Sequence, residues 1–232
     1  EELPSYNAYE EYSTTANPNG VWSYQHLNNG TYTDLTYDAT NSYWGALTPG
    51  CLSTVTSDLV TGGAAIAVRP ELTTTDTVLT FTAPHSGKVN VSMANGGVFA
   101  PHNSGDEVSF IFKQNDTVVR SVSDLDNAYN ASDSRFFADT VELTVTEGDE
   151  LHFIVHRNQQ SAESLTYFNP FIEYTELEEE PPVVRPTYNA YEEYSTTANP
   201  NGVWSYQHLE DGVYTNLTYD AANSLWGVID PG

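Results

Sequence analysis

The chain has 232 residues, 39% of them apolar and 12% aromatic, with seven Lys+Arg against 32 Asp+Glu and a formal charge of −25. That length allows one full domain plus something smaller, and that apolar content supports a packed core rather than a disordered chain. The charge excludes nucleic acid and anionic membranes as partners, because no basic face can displace counterions from phosphates or headgroups; it suits neutral or cationic partners instead.

The opening "EELPSYNAYEEY" sets Tyr6, Tyr9 and Tyr12 three apart, which reads as a strap across the edge of a fold or as an aromatic platform. It lacks an export leader, so any export signal lies outside this sequence. "GVWSYQHL" reads as a strand, "NNG" as a tight turn, and "TYTDLTYD" as the return strand of a hairpin. "NSYWG" follows in a loop-like setting. Cys51 is the lone cysteine, which rules out a disulfide framework or thiolate metal site and leaves a small buried hydrophobe. "TVLTFTAPHSGKVNVSM" reads as a hairpin turning near Pro84 and Gly87. "DEVSFIF" points Val108, Phe110 and Phe112 inward and turns at "KQND" into "TVVRSV". "DTVELTVTEGDELHFIVHRN" alternates Val141, Leu143 and Val145, turns at Gly148-Asp149, and resumes with Leu151, Phe153 and Val155. "YFNPFIEY" closes the domain. No apolar pattern has helical spacing, and no apolar run approaches the ~20 residues that span a membrane. Short alternating strands separated by regular turn signals predict an all-β fold, an antiparallel β-sandwich of jelly-roll type.

One stretch, "YNAYEEYSTTANPNGVWSYQHL", occurs twice unchanged, at Tyr6–Leu27 and Tyr188–Leu209. The match runs from residues 6–50 to 188–232, and nine of those 45 positions differ: 28, 29, 31, 34, 40, 43, 46, 47 and 48. The expected organisation is a β-sandwich over residues 1–175, a Glu/Pro linker over 176–187 and a truncated second copy over 188–232. One hairpin cannot bury enough surface to fold alone, so the second copy is expected to dock on the first domain or on a neighbouring molecule.

Alternation places Trp22, Tyr24 and His26 on one face of their strand, with Gln25 on the other. Trp44, beside Tyr43, follows across the hairpin, and the second copy supplies Trp204, Tyr206, Gln207, His208 and Trp226. All four tryptophans lie in the repeated segment. Trp and Tyr rings lie flat against the C–H faces of sugars while amide and imidazole groups reach the hydroxyls; equally, a Trp on a sandwich strand packs inside. His152 and His156, four apart on a strand, stand about 13 Å apart and cannot share a metal. Asp106, Asp124 and Asp126 sit in acidic loops that offer oxygen ligands for structural calcium, without EF-hand spacing and with solvated loops as the default. No cofactor is expected. No nucleophile elbow, P-loop or HExxH occurs, and a small sandwich with short loops offers no deep cleft for paired carboxylates, so a non-enzyme is expected.

The ordered motifs "NPNGVWSY", "FTAPHSGKV", "VTEGDELHFIV" and "YFNPFIEY" resemble exported bacterial jelly-roll modules of carbohydrate-binding type that accompany carbohydrate-active enzymes or sit on cell surfaces. The likeness spans Tyr9 to Tyr174 and departs at Gln25, where that group has Gly, so a polar side chain points outward here. In style the chain also resembles cell-surface starch-adherence proteins of gut bacteria. The resemblance implies non-catalytic binding of a polysaccharide, a neutral glucan such as starch, by a secreted or bacterial cell-surface protein that carries other domains. The other reading is a structural spacer or adhesin repeat without a sugar ligand. Exposed Trp/Tyr pairs favour the first, and buried tryptophans the second.

Overall fold

The computed structural model describes residues 2–46, 50–57, 62–70, 74–99, 108–122, 137–158, 165–178 and 186–227. Among these the chain forms strands and turns, with no helix long and apolar enough to cross a membrane. It divides into two units, Glu1–Glu179 and Glu180–Gly232. Most of the expected linker lies outside the described residues.

In chain order the first unit comprises β1 (Ser5–Asn7), β2 (Trp22–Asn28), β3 (Thr31–Asp34), β4 (Tyr37–Asp38), β5 (Tyr43–Ala46), β6 (Gly50–Val55), β7 (Ala65–Pro70) and β8 (Thr75–Thr82). There follow β9 (Gly87–Met93), β10 (Val108–Gln114), β11 (Thr117–Val122), β12 (Val141–Val145), β13 (Glu150–Arg157), β14 (Thr166–Phe168) and β15 (Pro170–Leu177). They build three antiparallel sheets: a six-stranded one ordered β11-β10-β13-β8-β2-β3, a four-stranded one ordered β1-β15-β9-β12, and a five-stranded one ordered β14-β7-β6-β5-β4. Alternation explains the packing. Leu79 and Phe81 of β8, Phe110 and Phe112 of β10, and Leu151, Phe153 and Val155 of β13 are fully buried on one face of the large sheet. Both smaller sheets cover that face: Tyr6 of β1 lies 5.3 Å from Phe81, and Phe168 of β14 lies 5.3 Å from Phe110. One core cluster runs through all three sheets. Cys51 is buried in β6. The all-β antiparallel sandwich is thus present, with its second layer split in two.

The β2–β3 hairpin turns through Asn29 and Gly30, at φ 49° and 79°. Two positive φ values are what a two-residue turn matching the strand twist requires, and Asn-Gly adopts them at little cost. The hairpin at "KQND" joins β10 to β11 as expected. Two expected hairpins are instead corners. β8 belongs to the six-stranded sheet and β9 to the four-stranded one, so Pro84–Gly87 carries the chain between layers; Gly148-Asp149 does the same between β12 and β13. The two corners are tied together, the Ala83 amide donating to Asp149 O and the Gly148 amide to Ala83 O, both at 2.8 Å. Alternation and turn residues are the same whether a strand folds back beside its predecessor or over it. Gly87 shows the geometric demand: a Cβ there would fall 2.1 Å from the Glu176 carbonyl oxygen.

The second unit holds β16 (Gln207–Glu210), β17 (Val213–Asn216), β18 (Thr218–Asp220) and β19 (Leu225–Gly227), paired as two small hairpins.

Candidate functional site

The repeated segment is held by its own polar residues. The Asn17 amide donates to the carbonyls of Tyr24 and Leu35 at 2.7 and 3.0 Å, and its Oδ1 accepts from the Tyr24 amide at 2.9 Å. The Asn19 side chain donates to Glu11 O at 2.7 Å. "NPNG" is therefore a clamp that joins the strap to β2, with Gly20 at φ 57° completing its turn. The Ser13 amide donates to the Tyr24 hydroxyl at 2.9 Å, and the Trp44 Nε1 donates to Ser13 O at 2.7 Å.

These bonds place the aromatic candidates inside. Trp22 and Tyr24 are 0% exposed and Trp44 is 5% exposed. The Tyr24 and Trp44 rings stack on each other at 5.3 Å and 26°. Trp44 is not in a loop: it sits in β5 and packs against Leu35 and Tyr37 beneath the strap. In the first unit these rings have no face to offer a sugar, because burying a ring of 150–250 Å² contributes on the order of 5 kcal/mol to folding. Tyr6, Tyr9 and Tyr12 pack against the same core, as a strap does. Tyr43 is half-buried. His26 is half-buried, and its Nε2 meets Gly50 O at 3.0 Å; burial pushes its pKa down. In the second unit Trp204, Tyr206, His208 and Trp226 are half-buried and Gln207 is exposed. Tyr206 and Trp226 are stacked on each other at 5.0 Å.

Gln25 does point away from the core, and it leads to a different grouping. On the opposite face of the six-stranded sheet its Nε2 donates to Asp34 Oδ1 at 2.9 Å. A carboxylate accepts only, so this bond fixes the amide and turns Oε1 toward Thr80. The Thr80 hydroxyl donates to that oxygen at 2.8 Å, which spends its one hydrogen. Its 3.0 Å contact with His152 Nδ1 must then be donated by the histidine. The row runs His152 to Thr80 to Gln25 to Asp34, all donors pointing one way, and leaves the His152 Nε2 without a proton, 3.5 Å from Glu150 Oε2. Burial pushes the His152 pKa down to about 4, with Lys113 adding to the effect, so the ring is neutral at pH 7. Tyr32 of β3 lies over it, ring centroids 4.3 Å apart and 13° from parallel. Tyr32 is half-buried; burial and the neighbouring Glu150, Asp116 and Asp76 push its pKa up. At the far end of β13, His156 Nδ1 pairs with Asp76 at 2.5 Å.

Tyr32, Asp34 and Thr80 do not stand out in the sequence, and His152 stands out only beside His156 as a metal pair, because each lies on the sheet face opposite the apolar alternation. The available signal was polar residues at the off-phase positions of three strands. Among the described residues no cluster of His, Cys, Asp and Glu side chains is gathered as a metal ion needs. Asp106, Asp124 and Asp126 lie outside the described residues.

No protein-family model matches the chain, and no curated protein matches it either. Among solved structures it is similar to a family 35 carbohydrate-binding module from Clostridium thermocellum, at 11% identity and TM-score 0.32, covering 53% of this chain and 87% of that one. It is also similar to the C-terminal carbohydrate-binding module of a marine laminarinase from Zobellia galactanivorans, at 11% identity and TM-score 0.31, covering 65% and 99%. A xylan-binding module matches at 10% identity and TM-score 0.30, covering 76% and 99%.

Proposed function

We propose that this protein is a non-catalytic carbohydrate-binding module for a neutral glucan, starch being the first to test, and that it works at the surface of an exported bacterial protein alongside other domains. The observation that carries this reading is the Tyr32 ring lying beside the Gln25–Thr80–His152 row. A half-exposed tyrosine offers an apolar face to a sugar ring, and the Gln25 amide and Asp34 carboxylate beside it reach its hydroxyls, while the buried Thr80 and His152 hold the Gln25 amide in place. The −25 charge supports a neutral ligand over pectin-like polyanions. The site is thus moved from the tryptophans to the opposite face of the same strand.

The spacer reading draws support from the burial of Trp22, Tyr24 and Trp44. Affinity electrophoresis against a panel of soluble glycans separates the two. Binding predicts retardation by at least one neutral glucan, with Tyr32→Ala and Gln25→Ala each weakening it by about tenfold, the scale of one lost stacking or hydrogen-bonding partner. Unchanged mobility across the panel supports the spacer.

A further inference from the structure

Gln25 and Asp34 keep one donor and one acceptor unspent. The Gln25 Nε2 gives one hydrogen to Asp34 Oδ1 at 2.9 Å, and the Gln25 Oε1 takes the Thr80 hydroxyl hydrogen at 2.8 Å. A side-chain amide carries two hydrogens and a carboxylate two oxygens. The second Nε2–H and the Asp34 Oδ2 therefore have no partner among the described residues. Both groups reach the surface: Asp34 is exposed and Gln25 half-buried, while Thr80 behind them is fully buried. The amide is held in this sense. Turned over, it would set its oxygen against the Asp34 carboxylate, acceptor against acceptor. The surface pattern is fixed as a donor on Gln25 beside an acceptor on Asp34.

Tyr32 sets where a ligand would lie. Tyr32 and Asp34 are two apart on β3 and share one face of the sheet, where Asp34 pairs with Gln25 and Tyr32 with Leu27. One face of the Tyr32 ring is taken by His152, which leaves the other for a sugar ring. The two hydrogens of an amide diverge at its planar nitrogen. One already points at Asp34, so the other points away from it, and a single hydroxyl does not meet both that hydrogen and the Asp34 Oδ2. Two hydroxyls on adjacent carbons do, one accepting from Gln25 and the other donating to Asp34. We propose that Gln25 and Asp34 read a vicinal diol on the sugar stacked on Tyr32, and so select glycans whose backbone units keep one. This rests on the sugar-binding reading and gives it a linkage class. A 1,4-linked glucan keeps free hydroxyls on the adjacent C2 and C3 of every unit. A 1,3-linked glucan keeps them on C2, C4 and C6, no two of which are adjacent, and is refused.

Depletion binding of the whole chain to four insoluble linear polymers tests it. Amylose and cellulose are 1,4-linked; an α-1,3-glucan and curdlan, a β-1,3-glucan, match them in anomer and differ in the diol. At least one 1,4-linked polymer should bind about tenfold tighter than its 1,3-linked counterpart, the scale of one lost hydrogen bond to a charged group. This comparison uses the unaltered chain, so it stands whatever the stability of any variant. Asp34→Asn then isolates the acceptor. Asn216 accepts from the Gln207 Nε2 at 2.9 Å in the second copy, so Asn at position 34 keeps the bond to Gln25 and puts an N–H donor where the free oxygen was. The variant should bind the preferred polymer about tenfold more weakly with an unchanged melting midpoint. Equal binding of both linkages, or full affinity in Asp34→Asn, would overturn the diol; a loss in Tyr32→Ala would then leave the sugar-binding reading standing. Binding to none of the four polymers would overturn both.

Discussion

Residues 6–45 and 188–227 are nearly one sequence in two surroundings. In the first, Trp22–Asn28 is a seven-residue strand; in the second, strand begins only at Gln207 and runs four residues to Glu210. The difference is β8, which pairs with β2 along its whole length, whereas among the described residues the second copy pairs with its own hairpin partner alone. The tryptophans respond as well. The Trp204 Nε1 donates to Glu193 Oε2 at 2.9 Å, while the Trp22 Nε1 is buried without a hydrogen-bond partner among the described residues. Burying the Trp22 ring against Phe81 outweighs the roughly 1–3 kcal/mol that an unpaired buried donor costs. Local bonds set the shape of the segment, and the body decides how far it becomes sheet.

The sharpest way to break this contrast is to truncate the same ring in each copy. Trp22→Ala should destabilise the first unit by about 3–5 kcal/mol, and Trp204→Ala should change its urea midpoint by no more than about 0.5 kcal/mol equivalent. Comparable losses would mean that the copies are equally buried. Next in size are the clamps. Asn17→Ala removes three hydrogen bonds and should cost about 2 kcal/mol in global unfolding. Asn199→Ala should leave that transition in place and raise hydrogen exchange in the second unit alone.

A third prediction concerns pH. Folded His152 titrates at about 4 and the unfolded side chain near 6.5, so between these values the unfolded chain holds the extra proton. The stabilising contribution of the neutral ring is whole above pH 6.5 and is lost as pH falls toward 4. The urea midpoint of the first unit should drop across that window, and His152→Asn should flatten the drop. Among the described residues the second copy shows no equivalent of His152, and its exchange rates, corrected for intrinsic chemistry, should not follow the same curve. The smallest effect is Asp34→Asn, which makes the first copy like the second. Asn216 already accepts from Gln207 at 2.9 Å, so the bond survives and stability should move by less than about 0.5 kcal/mol in a melting comparison.

Much of the architecture is legible in the residues. The alternation of Val108, Phe110 and Phe112 and the Asn29-Gly30 turn specify strands and a hairpin by local physics. The corners at Pro84–Gly87 and Gly148-Asp149 are not legible, because their meaning lies in contacts between Ala83 and Asp149, 66 positions apart. The site was half legible. Gln25 stands out as a polar residue on a strand, but Thr80 and His152 join it only when β8 and β13 lie side by side. Trp22 and Trp44 drew attention as large rings, and nothing in their spacing says which face of the strand is covered.

Residue-resolved hydrogen exchange of the native chain tests the central claim most directly. Peptides covering "GVWSYQHL" are identical in the two copies, so the comparison uses NMR, or fragments running on into Asn28-Asn29 and Glu210-Asp211. The account predicts that amides in Trp22–Asn28 exchange at rates set by global unfolding of the first unit, while those in Trp204–Glu210 exchange orders of magnitude faster in dilute solution. Equal protection in dilute monomer would contradict it, and would mean that the segment carries its own stability without the body.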